Sequence, residues 1–143
     1  MTGFFPILIA VAVVVALVFV FQNMRRNDRL GELLKKRAAG AQVQSRASYV
    51  EANHLVPVAL TLTGDSLHYE NADLEASFEL SRIDEVEYDD ELVTGKNLEG
   101  KCRALRLRSH GAAFEFVLQP GDCEKWMAAL PPRRMGEQTA HAV

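Results

Sequence analysis

The sequence lacks the short motifs that usually identify an enzyme or a metal protein. It contains no G-x-S-x-G, no P-loop, no G-x-G-x-x-G and no H-E-x-x-H, which mark catalytic serines, nucleotide sites and zinc sites. Cysteine is also scarce, because only Cys102 and Cys123 are present and they are far apart in the chain. We therefore expect no catalytic activity, cofactor or metal. Two isolated cysteines favour cytoplasmic thiols, although an oxidising compartment would allow a disulfide between them.

Charged side chains are absent from the first 24 residues, which contain a long apolar run. From Phe4 to Phe21 every residue is Phe, Pro, Ile, Leu, Ala or Val. As a helix this run extends roughly 27 Å at 1.5 Å per residue, close to the ~30 Å hydrocarbon thickness of a bilayer. Pro6 fits the first helical turn, where its missing N–H has no partner. The run predicts a membrane-spanning anchor within residues 1–24.

A cleaved secretory signal is the alternative interpretation of this run. Such a signal needs a basic N-terminal region, a shorter apolar core and a small-x-small cleavage site. Met1 to Gly3 contain no basic residue, and Phe19 to Met24 contain no Ala-x-Ala pattern. We therefore expect the anchor to stay attached to the chain.

Basic side chains follow the apolar run closely. Residues 25–48 contain seven basic and two acidic side chains, a net charge of +5. Because Lys and Arg are enriched on the cytoplasmic side of membrane helices, we expect the N-terminus outside and the rest of the chain at the cytoplasmic face of the plasma (inner) membrane. The candidate headgroup contacts, here called the basic segment, are Arg25, Arg26, Arg29, Lys35, Lys36 and Arg37.

Residues 25–48 are expected to form a short basic helix and a linker. Asn27 or Asp28 is placed to cap a helix that ends near Gly40, and residues 38–48 have the small, polar composition of a linker. The cations either bind anionic headgroups, at about 1 kcal/mol each, or set the topology and extend the anchor as a solvated stalk. The orientation rule already requires the cations, which favours the stalk.

Residues 49–130 have the pattern of a small β-rich domain. Alternating apolar residues between turn signals predict strands, and the 3.6-residue period of residues 123–130 predicts a short C-terminal helix. Residues 131–143 have little apolar content and are expected to form a disordered tail. The predicted strands are 58–63, 67–71, 76–80, 83–88, 103–108 and 112–118. The segment 83–88 also allows a helix, because Ile83 and Val86 are three residues apart.

This order, antiparallel strands followed by one C-terminal helix that carries a tryptophan, resembles the pleckstrin-homology-like (PH-like) superfold. It is most similar to the small bacterial PH-like and GRAM-like domains attached to membrane helices. The resemblance rests on Phe78 to Val86, Phe114 to Leu118 and the helix with Trp126. It implies a bent, partly open antiparallel β-barrel or sandwich that the helix closes at one end. The expected fold class is therefore α+β, mostly β, after one N-terminal transmembrane helix.

Charge disfavours inositide lipids and nucleic acids as ligands. PH domains that bind inositides place several Lys and Arg around the first hairpin loop, whereas the turn Gly64 to Ser66, interpreted as that loop, is followed by Glu70 and Asp73. Residues 49–143 carry nine basic and seventeen acidic side chains, a net charge of −8. Such a domain repels anionic lipid and phosphate backbones within a Debye length of about 8 Å.

The densest charge cluster is an acidic segment in a predicted strand and the loop after it. It lacks the D-x-[DN]-x-[DN]-G spacing of a calcium loop, so a solvated strand end is the simplest interpretation and a docking surface for a protein is the next. Alternation around Leu105 and Leu107 places Arg106 and Arg108 in water, where they can form salt bridges with acidic strands. The acidic segment comprises Asp84, Glu85, Glu87, Asp89, Asp90 and Glu91.

These observations predict a non-enzymatic, membrane-tethered interaction module. It is expected to bind a protein partner through an exposed strand edge or through the acidic segment. Tethering raises the effective concentration of such a module near partners in the same membrane. Lipid or headgroup sensing, assisted by the basic segment, is the alternative function.

Overall fold

The computed structural model of the protein describes residues 3–134, an α+β chain with one sheet between two helices. The elements are α1 (Phe4–Arg37), β1 (Val43–Glu51), β2 (His54–Leu62), β3 (Ser66–Glu70), β4 (Glu75–Glu79), β5 (Glu85–Asp89), β6 (Ala104–Ser109), β7 (Ala112–Leu118) and α2 (Cys123–Ala129). A short 3-10 turn, Ala38–Gly40, lies between α1 and β1, and another, Leu80–Arg82, lies between β4 and β5.

Helix α1 is continuous through the apolar run and the basic segment. Its 34 residues extend about 51 Å at 1.5 Å per residue. Within residues 3–134 it is the one helix that is long and apolar enough to cross a membrane, and none of its apolar window is buried. The expectation of a separate helix capped by Asn27 or Asp28 is wrong, because both residues lie in the interior of α1. Packing of the following turns on the sheet stabilises this continuation.

The last turns of α1 pack on the outer face of β1 and β2. Leu30 is buried there. The side-chain amide of Gln44 donates to the carbonyl oxygen of Leu34 (2.7 Å) and to Thr61 Oγ1 (3.2 Å). Ala59 and Thr61 alternate with the inward-facing residues of β2, and both are fully buried. The domain is therefore packed directly against α1.

The expectation of a linker over residues 38–48 is wrong, since β1 begins at Val43. Ser45 and Ala47 in this strand are buried. The indole N–H of Trp126 donates to Ser45 Oγ (2.9 Å). A small polar side chain at this core position accommodates the indole of α2.

The seven strands form one antiparallel sheet in the order β4-β3-β2-β1-β7-β6-β5. Strands β2 to β7 confirm the six predicted segments, although β2 begins earlier than expected. Strand β1 was not predicted. The ring of Phe78 in β4 lies 4.6 Å from that of Phe114 in β7. In a flat sheet four strand spacings, about 19 Å, would separate these strands. The sheet is therefore strongly curved.

The main core lies inside this curve and is closed by α2, which confirms the predicted C-terminal helix. Trp126 is fully buried against the inner faces of both halves of the sheet, together with Leu60 and Phe116. A second small cluster lies on the opposite face, where Leu92 covers Ala104 and Val117. The loop between β5 and β6 thus shields part of the outer surface.

Residues 131–134 belong to the folded domain. The main chain of Arg133 forms two hydrogen bonds with Val86 (2.9 and 3.0 Å). Its guanidinium donates to the carbonyl oxygens of Leu80 (2.8 Å) and Ile83. The expectation of a disordered tail is therefore wrong for these residues, because their main chain adds to the β5 edge. The rest of the expected tail, 135–143, lies outside the described residues.

Cys102 and Cys123 form a disulfide, with their Cα atoms 5.8 Å apart. The bond ties the loop between β5 and β6 to the first turn of α2. The expectation of two unlinked thiols is wrong in this structure, because the fold brings together residues separated by 21 positions. Disulfides are typical of oxidising compartments and rare in the cytosol.

Candidate interaction surfaces

The acidic segment is largely engaged by contacts within the domain. The carboxylate of Asp84 accepts a hydrogen bond from the backbone N–H of His110, and the carboxylate of Asp90 accepts one from the backbone N–H of Cys102. Strand pairing between β5 and β6 brings the carboxylates of Glu85, Glu87 and Asp89 next to arginines. Their ion pairs are Glu85–Arg108 (3.3 Å), Glu87–Arg106 (2.9 Å) and Asp89–Arg106 (3.7 Å). Much of the charge that predicted a docking surface therefore stabilises the fold.

Arg106 lies at the centre of a buried ion cluster. Its side chain is 8% exposed, and its guanidinium donates to Glu115 (3.2 Å), to Glu87 (2.9 Å) and to the carbonyl oxygen of the exposed Glu91 (3.2 Å). Burial lowers the pKa of Arg106, but its hydrogen bonds to Glu87 and Glu115 outweigh this effect and raise the pKa above its ordinary value. The predicted salt bridges are confirmed. The expectation that Arg106 lies in water is wrong, because Glu115 and the loop after β5 enclose it.

The C-terminal end of the basic segment joins α1 to the domain. Arg37 forms an ion pair with Glu70, and their side chains are 22% and 4% exposed. Arg37 also approaches the exposed carboxylate of Glu75 (3.4 Å). The hydrogen bond to Glu70 raises the pKa of Arg37 against the opposing effect of burial. Lys35 and Lys36 are exposed, so Arg37 is the member of this group that fixes the helix to the sheet.

The N-terminal end of the basic segment is free of ion pairs within residues 3–134 and follows the apolar run directly. Arg25, Arg26 and Arg29 are all exposed. The guanidinium of Arg25 lies 4.6 Å from the ring centroid of Phe21, a distance suited to a cation–π contact. These three arginines are therefore available to groups outside the domain.

A cleft of about 250 Å³ separates this part of α1 from the domain. One wall consists of Arg26 and Leu30, and the other consists of Val56, Pro57 and the turn 71–73 between β3 and β4. The charged residues of its lining are Arg26 and Asp73. The cleft can admit a small polar group, but its lining has no net charge to select an anion.

The β5 edge of the sheet is covered. Both main-chain groups of Val86 that point away from β6 pair with Arg133. The side chain of Arg133 also holds the chain before β5 by contacting Leu80 and Ile83. A partner strand therefore cannot add here without displacing residues 131–134.

The β4 edge is open, since no strand within residues 3–134 pairs with its outer side. The backbone N–H of Asn71 donates to the carbonyl oxygen of Leu74 (2.8 Å), and that of Leu80 donates to the carbonyl oxygen of Asp65 (2.9 Å). These two pairs show which residue pairs of β3 and β4 are hydrogen-bonded. Hydrogen-bonded and non-hydrogen-bonded pairs alternate along an antiparallel ladder. The main-chain groups that point away from the sheet are therefore those of Glu75, Ser77 and Glu79.

The titratable groups do not form a metal site within residues 3–134. His54, His68 and His110 belong to different strands and turns, and His141 lies outside the described residues. Burial and the charge of Arg37 lower the pKa of His68. The expectation of a protein without metal, cofactor or catalytic activity stays a prediction.

Comparison of the chain with protein-family models, with curated proteins and with solved structures found no match. The resemblance to PH-like domains and the expected protein partner therefore stay predictions.

Proposed function

We propose that this protein is a single-pass membrane protein that binds another protein along the β4 edge of a PH-like domain at the cytoplasmic face. The open β4 edge is the observation that carries the proposal, because the acidic segment and the β5 edge are already engaged within the domain. An extended segment of a partner would add a strand there and satisfy the outward main-chain groups of Glu75, Ser77 and Glu79.

The side chains of this edge indicate a basic partner segment. Glu75, Ser77 and Glu79 are exposed. The contacts of the two glutamates, with Arg37 (3.4 Å) and Arg82 (3.3 Å), are at the surface. Such pairs contribute only about 0–1 kcal/mol, so cations of a partner strand can replace them at little cost.

Three features support the PH-like part of the proposal. The sheet consists of one four-stranded meander, β1 to β4, and one three-stranded meander, β5 to β7, joined by β1 and β7. The sheet is curved enough to bring Phe78 and Phe114 together. Trp126 of α2 fills the space between the two parts.

Two features bear on the orientation, and they point in different directions. The basic side chains after the apolar run favour a cytoplasmic domain, whereas the bond between Cys102 and Cys123 favours an oxidising compartment. We give more weight to the charges, because they act during insertion, whereas the bond depends on the compartment that the domain reaches. A cytoplasmic domain would therefore contain both thiols in reduced form.

Headgroup sensing is the second candidate function. It is favoured by Arg25, Arg26 and Arg29, which are exposed beside the cleft. Asp28, Glu32 and Asp73 line the same region, which makes the local charge weaker than the arginines alone suggest.

A photo-crosslinking amino acid in place of Ser77 in the full chain tests the partner proposal. We expect it to capture one protein in the membrane, whereas the same crosslinker in place of the exposed Glu124 on α2 should not. Ser77→Pro should abolish that complex while the fold persists, because proline removes an outward N–H without breaking a hydrogen bond to β3. Equal capture at both positions, or an undiminished complex with Ser77→Pro, would contradict the proposal.

The same chain in vesicles distinguishes headgroup sensing. If sensing is the function, the domain should change its protease resistance when anionic lipid is added, and Arg26→Gln should reduce this effect while Lys36→Gln does not. A protein captured at position 77 without any lipid dependence favours the partner proposal.

A further inference from the structure

The contacts of α1 with the sheet show which end of the domain lies toward the apolar run. Leu34 contacts Gln44, whose partner in β2 is Thr61. Nearer the N-terminus of α1, Arg26 and Leu30 share the cleft with residues 56–57. Movement along α1 toward the apolar run is therefore movement along β2 toward the hairpin between β1 and β2.

The position of this hairpin along the axis of α1 follows from the rise per residue of the strand and of the helix. From Val56 to the turn residues Ala52 and Asn53 is three to four strand residues, roughly 10–13 Å at 3.3 Å per residue. From Arg26 to Phe21 is five helical residues, about 8 Å at 1.5 Å per residue. The hairpin tip therefore reaches the level at which the apolar run ends.

The connection between α1 and β1, which keeps the hairpin at this position, is short and well packed. Five residues lie between the end of α1 at Arg37 and the start of β1 at Val43. Leu30 is buried against the sheet, and the ion pair of Arg37 with Glu70 fixes the other end of the contact. The domain thus has one orientation relative to α1.

The hairpin tip, residues 51–55, has a surface suited to the headgroup layer of a bilayer. All five of its residues are exposed, and Leu55 is 46% exposed. Outside α1, only Val93 and Met127 join Leu55 as exposed large apolar side chains within residues 3–134. Arg25 and its neighbours are at the same level and are attracted to lipid phosphates, while Glu51 is the one acidic residue of the tip.

We propose that the hairpin tip rests in the headgroup layer of the membrane, so that the domain stands on the bilayer in one fixed orientation. The inference rests on the membrane anchoring included in the proposed function. In this orientation β4 begins beside the membrane-proximal turn 71–73 and runs away from the bilayer. A partner strand that adds to β4 would therefore run perpendicular to the membrane plane. A chain segment that leaves a neighbouring membrane helix runs in this direction.

Fluorescence quenching in vesicles tests the orientation. The full chain is reconstituted in phosphatidylcholine and phosphatidylglycerol with a fluorescent amino acid in place of Asn53, and lipids with a headgroup spin label are added. We expect position 53 to lose most of its emission. The matched control has the fluorophore in place of Asp65, in the turn at the opposite end of β2, about 30 Å farther from the bilayer, and should keep its emission.

A third fluorophore in place of Phe19 separates the two ways of failing. If lipids labelled in the acyl chain quench position 19 but headgroup labels leave positions 53 and 65 equally bright, the orientation is wrong and the anchor stands. If position 19 is also unquenched, the anchor and the orientation fail together. A fluorophore in place of His54 repeats the test at a second exposed tip position should the first variant not fold.

Discussion

The ion pair between Arg37 and Glu70 should decide whether α1 stays fixed to the sheet. Arg37→Ala removes the cation and leaves the carboxylate of Glu70, whose side chain is 4% exposed, without its partner. Breaking a buried ion pair costs about 3–5 kcal/mol, because a charge stays buried and uncompensated. Since the Arg37 side chain is 22% exposed, water can partly replace it. We therefore expect Arg37→Ala to lower the free energy of unfolding by about 2–3 kcal/mol.

This loss can be measured on the full chain in detergent micelles through the fluorescence of Trp126, the one tryptophan, which is fully buried. For a domain of this size the midpoint of thermal unfolding should fall by roughly 10–20 °C. Lys36→Ala is the matched control, because it removes an exposed cation from the same helical turn and should change stability by less than about 0.5 kcal/mol.

A double variant tests the cause of the effect. Arg37→Leu combined with Glu70→Leu removes both charges, so it should be more stable than Arg37→Ala alone. Equal stability of the Arg37→Ala and Lys36→Ala variants would refute the reasoning, because the pair would then contribute nothing to the attachment of α1.

Three further predictions concern the domain itself. Trp126→Ala should destabilise it by about 3–5 kcal/mol, measured by circular dichroism in urea, whereas Trp126→Phe should cost less because it mainly loses the hydrogen bond to Ser45; equal losses would contradict a buried plug. Ala52→Gly should stabilise the hairpin by about 1 kcal/mol, since Ala52 has φ 51°, a conformation that glycine adopts without strain; no gain in urea midpoint would show that the turn is unstrained. The folded-state pKa of His68 lies below its ordinary 6.5, so the unfolded chain binds more protons and stability should fall as the pH falls through this value; His68→Gln should flatten the dependence in urea titrations between pH 7 and about 5.5, and an identical slope in both proteins would contradict the assignment.

Local patterns were sufficient to predict the apolar part of α1, the helix α2 and six of the seven strands, because those segments have long or regular apolar periods. The strand β1 was missed since its inward residues include Ser45, a polar residue whose buried hydroxyl accepts the indole N–H of Trp126. Nothing within residues 43–51 reveals a partner located about eighty positions later in the chain. The same reason hid the continuity of α1, because the burial of Leu30 depends on the sheet.

The candidate sites were harder to predict because charge alone does not give a partner. Asp84 to Glu91 is a dense acidic run in sequence, yet the register of β5 with β6 places Arg106 and Arg108 directly opposite it. The value of β4 as an edge likewise depends on the strand order and on Arg133 covering β5. Alternation predicted salt bridges of Arg106 and Arg108 with acidic strands, but strand order and register, which single-strand patterns do not encode, decide which carboxylates are engaged and which edge is open.

We expect that an uncleaved helix in the bilayer holds the domain in place. Intact mass spectrometry of carbonate-washed membranes and of the soluble fraction from the same cells tests it directly. We predict that the chain in the washed membranes includes residues 4–21. A shorter chain that lacks these residues and is found in the soluble fraction would contradict the claim.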